Sequence, residues 1–235
     1  MHYKIHSFNH TDNSKKGLIV SSITAEEIIP NITIDFFKQY FPSVQFDYID
    51  IMSFSADCKN IECMTKMFKS WLSSEQNNYD FFIGFAYGGV ILQYSMDLIQ
   101  NKKVILISSP EYINTELNQK LSLLSKMLMK NLTYEAIELL DSFVYTNQSS
   151  SKYAFNIPLK QVNSRLQNGF QMILKMDRFN NNSENIIKIV GEKSNLVNID
   201  NIVAKNNAIE IPDAGMRVLE ENAGKVQETI NEFLN

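Results

Sequence analysis

The sequence predicts an α/β protein: a mostly parallel sheet of seven to eight strands flanked by helices, with one inserted helical lid. Three observations carry this expectation. Short runs of β-branched and aromatic residues alternate with helical patterns along the chain. The runs are apolar throughout, the mark of strands buried on both faces. One long segment, residues 111–179, contains no such run.

Strands are expected at Tyr3–Phe8, Gly17–Ser21, Val44–Asp50, Asp80–Gly84, Lys103–Ile107, Ile186–Val190 and Ala208–Ile211. Helical patterns fill Thr33–Tyr40, Ile61–Ser73, Val90–Ile99 and Arg217–Phe233. Such alternation gives parallel strands joined by right-handed crossovers, with any site beyond the carboxyl ends of the strands. Residues 1–110 and 180–235 then form the core. Three helical patterns occupy the interruption: Thr115–Lys130, Thr133–Tyr145 and Leu159–Lys175. An insertion of this size on the carboxyl side of a strand reads as a lid over the site. Met127, Met129, Met172 and Met176 either line that site as adaptable side chains or pack the lid against itself. Ser149-Ser150-Ser151 reads as a turn within it.

The 235 residues are 44% apolar and 20% charged, with 15 Phe and 10 Tyr, ample for a buried core and far from the composition of a disordered chain. The net charge is −4, and only Arg165, Arg178 and Arg217 are arginine, so a concentrated nucleic-acid-binding face is excluded. No apolar run approaches the roughly 20 residues that cross a bilayer. The opening MHYKIHSFNHTDNSKK lacks an apolar segment with a cleavage site, so a cytoplasmic location is expected. Cys58 and Cys63 would face different sides of a helix and have no histidine neighbours; they are expected to be structural rather than metal ligands. Neither metal nor cofactor is expected.

The 8 glycines are few, so their positions are informative. Gly84-Phe85-Ala86-Tyr87-Gly88-Gly89 follows an expected strand and precedes an expected helix. That is the context of the nucleophile elbow G-x-S-x-G, whose flanking glycines make room for a strained turn. Here the central position is Ala86. Farther on, Ile186-Ile187-Lys188-Ile189-Val190-Gly191-Glu192-Lys193-Ser194-Asn195-Leu196-Val197 matches a strand and acid-bearing loop. Ile209-Glu210-Ile211-Pro212-Asp213-Ala214-Gly215-Met216, before a terminal helix, matches a histidine-bearing segment. On these motifs the chain resembles the α/β-hydrolases over nearly its whole length, and in particular compact lidded esterases such as the pimeloyl-carrier-protein methyl esterase type. Ser108-Ser109-Pro110 and Gly169–Asp177 strengthen that comparison.

The resemblance implies a catalytic serine, acid and histidine at Ala86, Ser194 and Met216, converging at one pocket. None of these side chains can attack a carbonyl or relay a proton as the triad does. His2, His6 and His10, the three histidines of the chain, all fall at the first strand and its following turn. An oxyanion hole built from backbone N–H groups could persist at Tyr87 and near Ser22 or Ile23. Three functions stay open. One is a catalytically degenerate hydrolase that binds a small acyl-type ligand, binds a carrier protein, or regulates an active enzyme in a hetero-complex. Another is a cyclase, lyase or isomerase using Tyr87, Ser21, Ser22, Ser194 or Glu111. The third is a weak esterase or thioesterase. The binding residues expected are Tyr87, Ser21, Ser22, Ile23, Glu111, Met127, Met172 and Met176.

Overall fold

The structure is a computed structural model, and it describes residues 5–9, 15–27, 30–58, 60–146 and 153–235. His2, His10, the first two residues of the expected Tyr3–Phe8 strand and the Ser149-Ser150-Ser151 turn lie outside these residues.

Seven strands are found among the described residues: β1 (Ile5–Phe8), β2 (Lys16–Val20), β3 (Gln45–Ile49), β4 (Phe81–Phe85), β5 (Lys103–Ile107), β6 (Ile186–Gly191) and β7 (Ala208–Ile211). They form one sheet in the order β1-β3-β2-β4-β5-β6-β7. Only the β1–β3 pair is antiparallel; every other pair is parallel. Each run expected to be a strand therefore supplies one.

Along the central strands, side chains alternate between two cores. Leu18, Val20, Phe82, Val104 and Leu106 face one, and Ile19, Phe81, Ile83, Ile105 and Ile107 face the other. This period of two, with both faces buried, is why the strands read as unbroken apolar runs. Helices α1 (Asn31–Tyr40), α8 (Val218–Glu221) and α9 (Ala223–Leu234) cover the second core through Phe36, Phe37, Val218, Val226 and Ile230. Helices α2 (Ile61–Glu75), α3 (Tyr87–Tyr94), α4 (Met96–Ile99), α5 (Thr115–Met129), α6 (Thr133–Val144) and α7 (Leu159–Ile173) cover the first.

Two helical patterns that read as continuous are broken. The Val90–Ile99 pattern begins earlier, at Tyr87, and breaks at Ser95, whose hydroxyl donates to Ile91 O at 2.9 Å. A serine bonding back four residues competes with the helical ladder. The Arg217–Phe233 pattern divides at Asn222, whose side chain accepts from Lys225 N and caps α9. The cysteines are structural, as expected, but they do not share a helix. Cys58 follows a 3-10 turn, Ile51–Asp57, and only Cys63 lies on α2; the Cα atoms are 5.5 Å apart and the two form a disulfide.

The segment between β5 and β6 contains α5, α6 and α7 and, among the described residues, no strand. Its ends meet at one point: Phe179 N donates to Glu111 O at 2.8 Å, and Glu111 N donates to Asn201 O at 2.9 Å. Among the described residues no helix is long and apolar enough to cross a membrane.

Candidate functional site

β4 ends at Phe85, and the chain turns sharply into α3 at Ala86, with φ 45° and ψ −110°. Such a conformation costs a non-glycine residue about 1–3 kcal/mol, and it persists only where the surroundings enforce it. Here they do. Ala86 N donates to Ile107 O at 2.9 Å, and Val90 N reaches Ala86 O at 3.2 Å as the first turn of α3 closes. The glycines allow the close approach this demands. A Cβ on Gly84 would lie 2.4 Å from Gly89 Cα, and one on Gly88 would lie 2.3 Å from Ser21 O. Neither neighbour is a flexible side-chain end, so neither can give way.

The elbow opens into a cavity of about 490 Å3 at the carboxyl ends of the parallel strands. Its floor comprises Ser21, Ser22 and Ile23 after β2, Phe85, Ala86 and Tyr87 at the elbow, and Ile107, Ser108 and Pro110 after β5. Leu196, Val197, Met216 and Arg217 close one side. Above lie Leu117 and Leu121 of α5, Ile137, Leu140 and Val144 of α6, and Leu166, Phe170 and Ile173 of α7. The α7 residues follow the i, i+4, i+7 spacing that puts side chains on one helix face. The walls are predominantly apolar, and the volume is that of a small-molecule site.

Several expected site residues meet here. Ala86 and Met216 line the same cavity, as do Tyr87, Ser21, Ser22 and Ile23. Met216 is held from both directions: its N–H donates to Val144 O at 3.1 Å and its carbonyl accepts from Ser108 Oγ at 2.8 Å. Ser108 has a positive φ of 50°, a second non-glycine residue in an unusual conformation beside the elbow.

Others do not. Ser194 is buried without lining the cavity, and among the described residues its hydroxyl has no hydrogen-bond partner. Glu111 is fully buried away from the cavity in an ion pair with Lys188 at 2.8 Å, and its carboxylate also accepts from Val203 N and Ala204 N. Its role as a site carboxylate is thus corrected to an anchor of the insertion's two ends. The four methionines of the insertion, Met127, Met129, Met172 and Met176, do not line the cavity either. Met172 lies off the cavity-facing stripe of α7 and contacts the Tyr87 hydroxyl at 3.3 Å, Met127 and Met176 pack against the core, and Met129 is exposed. The Tyr87 phenol is buried on that sulfur, and burial raises its pKa, so it stays protonated at neutral pH. His6 sits on edge strand β1, three strand positions from β4 and roughly 14 Å away at the usual spacing.

The residues that fix the insertion over the cavity were missed by sequence reasoning. Arg165 on α7 donates to Asp50 at 2.6 Å and to Thr24 O at 3.1 Å. Asp50, just past β3, is buried, and burial raises its pKa while Arg165 pulls it back. Buried Glu26 accepts from the backbone of Asn156 and Ile157 and from the Asn156 side chain. Both acids therefore tie the sheet-end loops to the insertion. The rarity of arginine in this chain was the available signal for Arg165; Asp50 and Glu26 gave none.

No family model matches the chain, and no curated protein matches it in sequence. Solved structures do resemble it in fold. An α/β-hydrolase enzyme from a Medee basin deep-sea metagenome library superposes with a TM-score of 0.73 at 12% identity, over 99% of this chain and 93% of that one. An esterase from Exiguobacterium antarcticum gives 0.65 at 10% identity, over 98% and 94%. MenH from S. aureus gives 0.59 at 14% identity, over 99% and 97%.

Proposed function

We propose that this chain, which has the α/β-hydrolase fold, is a catalytically degenerate member of that architecture and binds a small, largely apolar acyl-type ligand without cleaving it. One observation carries the reading: the elbow keeps its strained geometry at Ala86, beneath an apolar cavity of about 490 Å3, while the residue at its apex has no nucleophilic atom. In this reading α5–α7 are a lid, and Ala86, Ser194 and Met216 stand where a triad would. Without a nucleophile, covalent acyl transfer has no first step. The N–H groups at the start of α3 remain to hold a carbonyl. The Tyr87 hydroxyl is directed onto the Met172 sulfur, which argues against a tyrosine-based acid as the replacement chemistry.

Native mass spectrometry and thermal shift with octanamide and decanamide test this, alongside p-nitrophenyl butyrate turnover. The expected outcome is a one-to-one adduct that Leu121→Trp, which fills the cavity, abolishes, and turnover no faster than the buffer background. Turnover at an ordinary enzymatic rate would overturn the reading.

A further inference from the structure

The cavity's charged lining is unbalanced. Among the described residues it comprises three carboxylates, Glu26, Asp141 and Glu220, against the single guanidinium of Arg217. Two of the carboxylates are committed. Glu26 accepts three N–H groups of residues 156 and 157. Glu220 accepts from Arg217 at 2.9 Å, and that guanidinium lies 4.8 Å above the Tyr145 ring. The one cation of the wall is thereby neutralised and covered. Asp141 differs, because among the described residues the only hydrogen-bond partner of its carboxylate is the neutral hydroxyl of Tyr153. It is half-buried at the α6 end of the cavity, where it loses hydration and, among the described residues, has no ion-pair partner.

The surroundings of Asp141 are aromatic. The Tyr153 and Phe155 rings are parallel within 5° at a centroid distance of 6.4 Å, and both line the cavity with Tyr145. An aromatic wall beside a carboxylate attracts a cation twice, through its ring quadrupoles and through charge. A carboxylate-bearing ligand would meet repulsion at the same place.

The geometry points to a ligand that is an amphiphilic ammonium compound: an apolar chain in the cavity and an ammonium group held by Asp141 with Tyr153 and Phe155. This rests on the binding reading above and adds to it the chemistry of the head group. Isothermal titration of the full chain with octyltrimethylammonium, octanamide and octanoate, at equal ionic strength and below any micelle concentration, tests it. The expected result is octyltrimethylammonium binding at least tenfold tighter than octanamide, with octanoate weakest. Asp141→Asn should bring the first two within about threefold of each other, and a cooperative thermal unfolding transition shows that the variant is folded. Equal affinities, a preference for octanoate, or a preference unaffected by Asp141→Asn would overturn the ammonium assignment while leaving the cavity reading intact. Binding of none of the three would overturn both.

Discussion

Arg165 of the inserted helix α7 reaches across to Asp50 beyond strand β3 at 2.6 Å, with side-chain exposures of 17% and 3%. The pair joins the insertion to the carboxyl end of the sheet. Burial raises the Asp50 pKa, with Arg165 as the main opposing influence. A carboxyl raised in the folded state takes its proton there first as pH falls. The cost of its buried charge is thus full above the folded value and lost below the unfolded value near 3.9. Arg165→Met removes the partner and raises that folded value further. The expected loss is about 3–5 kcal/mol at pH 7.5, and a smaller loss at pH 4.5, measured by urea unfolding. A loss independent of pH would show that Asp50 is not the group left uncompensated.

The elbow glycines make opposite predictions from a distant one. Gly88→Ala places a Cβ 2.3 Å from Ser21 O and should destabilise by several kcal/mol, in the range of overpacked or strained sites. Gly224, in the first turn of α9, has open space where a methyl would stand, with nothing within 4 Å, and Gly224→Ala should stabilise by up to about 1 kcal/mol. Thermal unfolding of the two single variants decides both.

Lys188 and Glu111 are fully buried at 2.8 Å, with the ammonium also donating to Asn181 O and Ala204 O. Lys188→Met should cost about 3–5 kcal/mol, because it strands a carboxylate in the interior. Adding Glu111→Gln should restore more than half of that. The amide oxygen still accepts from Val203 and Ala204, and the uncompensated charge is gone. Chemical denaturation of the single and double variants gives the coupling.

Installing serine, acid and histidine side chains at the three positions tests the proposed triad-equivalent placement. Ala86→Ser alone should leave p-nitrophenyl acetate turnover at the parent rate, because no histidine among the described residues lines the cavity. The triple variant Ala86→Ser, Ser194→Asp, Met216→His should exceed it, since triad members act only as a unit. Equal rates would show that the Ser194 loop, whose hydroxyl does not line the cavity, cannot deliver a carboxylate to residue 216.

Most of the fold was legible because its signals are local. Buried parallel strands announce themselves as continuous apolar runs, and the elbow as a glycine pattern between a strand and a helix. Helix breaks at Ser95 and Asn222 were less visible, since each depends on one side chain competing for a backbone group. The structural role of Cys58 and Cys63 was legible, but their pairing was not, because it depends on α2 beginning only at Ile61, between the two residues.

The sequence by itself determined the alternation of strands and helices, the single insertion, and an elbow position occupied by alanine. Those follow from side-chain periodicity and from the steric needs of a tight turn. Only the tertiary structure decided the fate of the polar groups. It buried Glu111 against Lys188 rather than in the cavity, turned the Tyr87 hydroxyl onto Met172, and put Asp50 and Glu26 under the insertion. The reason is that an apolar residue declares its burial by pattern. A buried acid is set by the donors that surround it, and those donors come from segments far away in the chain: 115 residues separate Asp50 from Arg165, and 130 separate Glu26 from Asn156.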